Sequence, residues 1–129
     1  MRFVIGLLVL IACAAPAHAM DQKTFDERLA LYTHKLQIGI DATAAEKKTF
    51  CPNPRSETTA QCTQDYDALI AAVEAERSIG VQLQREVFAS HGRSQASKEL
   101  ETKYKGATEN SDRLLKLTRQ RYWIQPAAK

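Results

Sequence analysis

The sequence predicts an all-α protein: an elongated, up-down-up three-helix bundle that follows a cleaved export signal. Three observations carry this expectation. Apolar residues recur at spacings of three and four through three long segments, and no segment alternates with the period of a strand. Turn-forming residues separate those segments. The first 19 residues have the charged start, apolar middle and small-residue end of a signal peptide.

In that leader, Arg2 precedes an uncharged run from Phe3 to Ala15, Pro16 breaks the run, and Ala17-His18-Ala19 offers a cleavage site. The run is shorter than the roughly 20 apolar residues that cross a membrane. Cleavage after Ala19 leaves one domain, residues 20–129. Leu10-Ile11-Ala12-Cys13 also matches a lipoprotein processing box, and lipidation of Cys13 would tether the domain to a membrane instead. The expected location is the periplasm or the exterior of a bacterial cell.

The first helix is expected over about 24–49. Thr24 and Glu27 have capping-box spacing, and Phe25, Leu29, Tyr32, Leu36, Ile40 and Ala44 form its apolar face. The stretch from Phe50 to Gln61 contains Pro52 and Pro54 and reads as a loop. The second helix is expected over about 63–90, capped by Thr63, with Asp65 and Asp67 in its first turn. Its apolar face carries Tyr66, Leu69, Ile70, Val73, Ile79, Leu83 and Val87, and Gly92 suits a left-handed C-terminal position. Ser94 or Ser97 opens the third helix, over about 95–125, which Pro126 stops. Its apolar stripe is looser, through Leu100, Tyr104, Ala107, Leu114, Leu115 and Tyr122.

Only Cys51 and Cys62 remain after cleavage, in an oxidising compartment, so a disulfide is expected to staple the connection between helices 1 and 2. Closing so short a loop stabilises a fold by roughly 3 kcal/mol on the chain-entropy model. A slender bundle has a thin core, so the staple, a second copy of the chain or another partner is expected to make up the deficit. Homodimerisation is therefore one expectation.

The functional expectations are binding rather than catalysis. The whole chain's 18 basic side chains, Arg2 among them, face 15 acidic ones, which argues against a nucleic-acid surface. No phosphate loop, nucleophile elbow, free mature thiol or CxxCH motif is present, and His34 and His91 each lack a second histidine at helical metal-site spacing. No cofactor or metal is expected. The segment containing Leu117, Arg119, Arg121, Tyr122 and Trp123 concentrates the residue types of interface hot spots and is the candidate partner surface. Gly80 and Gly106 lie at nearly the same height in an antiparallel pair and are candidates for a close helix–helix approach. These features suggest an envelope protein that binds another macromolecule, as an inhibitor, immunity-type or secretion-accessory factor. The alternative is a small-ligand or lipid-binding helical protein.

Overall fold

Helix α1 spans Gln22–Phe50, α2 spans Thr59–Ala89 and α3 spans Gln95–Tyr122 in the computed structural model of the protein, which describes residues 20–123. The expected signal peptide with Cys13 lies outside the described residues, whereas the third helix ends at Tyr122, short of the expected 125, because Trp123 is already extended. Among the described residues the chain is an all-α three-helix bundle, with Cys51 joined to Cys62.

The helices alternate in direction. Phe25, near the start of α1, stacks on Phe88 at the end of α2, with ring centroids 4.1 Å apart. Tyr66, near the start of α2, lies 5.9 Å from Tyr122 at the end of α3. Helix α2 is the central element and packs along both neighbours. Helices α1 and α3 meet mainly through long side chains that reach past it, as Tyr32 does towards Tyr104 and Glu46 towards Arg119.

Two helix starts differ from the sequence expectation. Helix α1 is capped by Asp21, whose Oδ1 accepts from the Thr24 amide at 2.7 Å, so the Thr24–Glu27 box does not form. The bonds from Thr24 hold the Asp21 carboxyl below its ordinary range. A carboxylate at this place satisfies an orphan amide and also meets the positive end of the helix dipole, which a hydroxyl does not. Helix α2 starts at Thr59 because Thr58, not Thr63, accepts from the Gln61 amide. Cys62 therefore sits inside the first turn of α2, while Cys51 caps α1, and their Cα atoms are 5.3 Å apart. Asp65 consequently lies a turn deeper than a dipole-complementing position. In α3, Ser94 and Ser97 cap each other reciprocally.

The α2–α3 turn carries a further correction. Ser90 is the C-cap, the His91 amide donates to Phe88 O, and the Gly92 amide donates to Val87 O. This is the Schellman pattern, and its left-handed position belongs to His91, at φ 54°, with Gly92 one place later at φ 141°. A side chain in that conformation is strained by roughly 1–2 kcal/mol, and His91 is exposed. His91→Gly is therefore expected to raise stability by about 1 kcal/mol, measured by urea denaturation of the disulfide-intact chain. An unchanged or lower midpoint would show that the imidazole itself holds the turn.

Candidate functional site

Every side chain that α3 buries carries a hydroxyl: Ser97, Tyr104, Thr108, Ser111, Thr118 and Tyr122. The leucines that the sequence reading placed on this face sit elsewhere. Leu114 and Leu115 are half-buried against the cluster of Ile40, Leu69 and Val73, and Leu100 flanks the cluster around Tyr32 and Leu83. Opposite the hydroxyl seam, α2 buries Glu76, Gly80 and Gln84, spaced four apart and so stacked on one face. The result is a polar row through the middle of the bundle, between two apolar clusters.

Glu76 is fully buried, and it takes part in none of the ion pairs found among the described residues. Its Oε2 lies 3.2 Å from Ser111 Oγ, which also lies 3.1 Å from the Thr108 carbonyl. One serine hydrogen cannot serve both acceptors well. Burial raises the Glu76 carboxyl above its ordinary value of 4.5 and the negative charge of Asp112 adds to this, against the opposing influence of Thr108 and Ser111. Tyr32, Tyr104, Thr108 and the second Glu76 oxygen approach one another without hydrogen bonds of good geometry, and the Gln84 amide is buried likewise. Burial likewise raises the Tyr104 phenol to about 12 and the Tyr32 phenol further.

Gly80 is the cradle of this row. A Cβ there would overlap the Tyr32 hydroxyl and stand 3.0 Å from the Tyr104 ring. The glycine admits a side chain from α1, not the backbone of α3. Gly106 is exposed with nothing near its missing Cβ, so the expected approach of Gly80 to Gly106 does not occur. The physical reason is rotational: the two glycines share a height, but Gly106 faces solvent.

Of the candidate C-terminal surface Tyr122 alone is buried, while Leu117 and Arg121 are exposed and Arg119 and Trp123 half-buried. Tyr122 is buried, and its hydroxyl donates to Asp65 Oδ2 at 2.6 Å, where Arg121 also donates at 3.0 Å. Burial pushes the Asp65 carboxyl up, but Tyr122, Arg121 and Gln61 together bring it below its ordinary range. Arg119 pairs with Glu46 at 2.9 Å and lies 4.2 Å above the Trp123 ring, whose Nε1 donates to the same carboxylate at 2.8 Å. Arg55, from the disulfide loop, donates to the Trp123 carbonyl at 2.6 Å. Tyr122 is thus a core residue and no part of an open surface. Arg119, Arg121 and Trp123 direct their polar groups to Glu46 and Asp65, while Leu117 remains exposed.

Sequence reasoning also missed the outer face of α1. Leu31 and Ile38 are 49% and 55% exposed, seven residues apart, on the side opposite the buried stripe. Among the described residues, no group of three or more His, Cys, Asp or Glu side chains is placed to hold a metal ion, and no helix is long and apolar enough to cross a membrane. Comparison with protein-family models, curated proteins and solved structures finds no match, so the site is read from its own geometry.

Two outcomes follow for the polar row. Gly80→Ala should lower stability by about 1–3 kcal/mol, although alanine favours a helix, and the loss should shrink in a Tyr32→Leu background. A gain in the chemical-denaturation series that keeps Tyr32 would show that Tyr32 moves aside freely, and a loss undiminished in the Tyr32→Leu series would show that the clash does not come from Tyr32. For Glu76, the folded chain keeps a proton at a pH where the unfolded chain has lost it. Its contribution is therefore fully present below the ordinary value of 4.5 and is lost as pH rises through the higher folded value. Glu76→Gln should flatten that decline and leave the variant more stable than the parent at neutral pH. Parallel stability–pH curves for the two proteins would contradict a buried neutral acid.

Proposed function

We propose that the chain is an exported, non-catalytic binding module that docks on another macromolecule of the cell envelope through the outer face of α1. The observation that carries this is the pair Leu31 and Ile38, large apolar side chains held in solvent on a rigid helix whose other face already fills the core. Scattered single apolar residues on a surface need no explanation, but two on one stripe with Ala42 and Ala45 beside them form a continuous apolar strip. The signal-like residues 1–19 and the disulfide support an extracytoplasmic setting. An inhibitor, immunity-type factor or secretion accessory would each act by such docking. With Tyr122 buried and the neighbouring arginines paired internally, α1 replaces the C-terminal segment as the surface of choice.

A second reading rests on the polar row. Buried donors and acceptors without good partners are what a small polar ligand between the helices would satisfy, and their chemistry disfavours a lipid. Native mass spectrometry of the protein purified without denaturant tests it, and a bare polypeptide mass removes it.

For the docking reading, the immobilised mature protein should retain an envelope macromolecule that the Leu31→Glu/Ile38→Glu variant does not. Both positions are exposed, so far-UV circular dichroism should be superimposable. Equal retention by the variant would exclude the α1 face.

A further inference from the structure

We infer that the outer face of α1 pairs with the same face of a second copy of this chain, antiparallel about a two-fold axis at Ile38. This rests on reading that face as a docking surface and names its partner. The argument comes from the charges that flank the apolar strip. Glu27, His34, Asp41 and Lys48 follow one another at intervals of seven residues, and all four are exposed. In a helix, seven-residue spacing places them in one column along the edge of the strip that holds Leu31, Ile38 and Ala45 at the same interval.

That column is self-complementary when reversed. A two-fold axis perpendicular to the helices brings the same edge of both copies together, with their directions opposed. The midpoint of Glu27 and Lys48 falls between residues 37 and 38, and so does the midpoint of His34 and Asp41. One axis position therefore places Glu27 against the second copy's Lys48 and His34 against its Asp41, twice each. Half a residue away, a shift of under about 1 Å along the helix, Ile38 stacks on Ile38 and Leu31 faces the smaller Ala45, both centred on residue 38. Within the chain, neither Glu27, His34 nor Lys48 takes part in any of the ion pairs found among the described residues, so their side chains are open to a neighbour.

On the opposite edge Lys35 meets the small residues Gly39 and Ala42 of the second copy, with no like charge facing it. Gly39 has open space around its missing Cβ, which leaves room for the lysine stem. An interface of one helix pair is at the small end of specific interfaces, so the dimer is weak, on the order of micromolar or above, and sensitive to salt.

Sedimentation velocity of the mature, disulfide-intact protein over a concentration series tests the pairing. The parent should show a monomer–dimer equilibrium that Ile38→Glu abolishes with its helical spectrum unchanged. Glu27→Lys and Lys48→Glu each place like charges opposite one another, and each should weaken self-association by about tenfold. Mixed at equal concentration, the two variants should associate with near-parental affinity, because each reversed charge then faces the opposite sign on the other variant. Both substitutions in one chain should restore self-association likewise. A parent that stays monomeric throughout, or variants that fail to recover on mixing, would overturn the antiparallel pair. Envelope capture that still depends on Leu31 and Ile38 in that case would leave the docking reading standing and this partner excluded.

Discussion

The contact between α2 and α3 governs the rest of the molecule, because every side chain that α3 fully buries there carries a hydroxyl, with its leucines only half-buried at the flanks. Helix packing usually relies on apolar area, worth roughly 25 cal/mol for each Å² removed from water. Serine and threonine supply little of that, but they are small, and Gly80 lets the Tyr32 side chain of α1 enter the interface. Hydroxyls can also return their hydrogen bonds to their own helix, as Ser111 does to the Thr108 carbonyl. The seam is therefore tolerable without being strongly stabilising. Its weak point is Glu76, whose charge burial disfavours, raising the carboxyl above its ordinary value.

What the seam lacks is supplied at its two ends by different chemistry. At one end the stacked Phe25 and Phe88 join Leu29, Leu36, Leu83 and Val87 in an apolar cluster. At the other, Cys51, Cys62, Tyr66 and Tyr122 form a small cluster enclosed by charge. There Glu46 accepts from Arg119 and Trp123, and Asp65 accepts from Tyr122 and Arg121, so the two carboxylates draw the end of α3 onto α1 and α2. Exposed ion pairs contribute little, but Glu46 and Asp65 keep only 14% and 19% of their side-chain surface. Shared acceptors of this kind behave as a network instead of as isolated pairs. The disulfide lies beside this cluster and limits how far the α1–α2 connection can open.

Periodicity made the three helices and most of the buried face of α1 legible, since Phe25, Leu29, Tyr32, Leu36 and Ile40 are all core residues. The caps were less legible because several suitable residues stand within five positions of each other, and only the observed bond separates Asp21 from Thr24 or Thr58 from Thr63. The α3 seam was misread for a clearer reason: serine and threonine count as polar in any apolar pattern. Their own spacing of 97, 104, 108, 111, 118 and 122 was the available signal, a repeat of threes, fours and sevens in hydroxyls. The inward turn of Arg119 and Trp123 left no local signal at all. Their acceptor, Glu46, lies 73 and 77 positions upstream, beyond the reach of any motif.

Helix α1 shows why core formation alone does not account for the sequence. Its inner face is complete, and a solvent-facing strip needs nothing from the fold except helix-forming polar residues. Instead that strip holds Leu31 and Ile38, at a solvation cost the isolated bundle does not recover. The charged column beside them repeats at seven, whereas a straight helix drifts by about 20° over each such interval. A seven-residue repeat stays on one line only when two helices wind around each other. The core stripe of α1 breaks that repeat, with two successive steps of four through Tyr32, Leu36 and Ile40, the pattern of a helix lying on a mixed neighbouring surface. Of the two periods on this helix, the bundle accounts for the core stripe, and the proposed pairing would account for the repeat of seven.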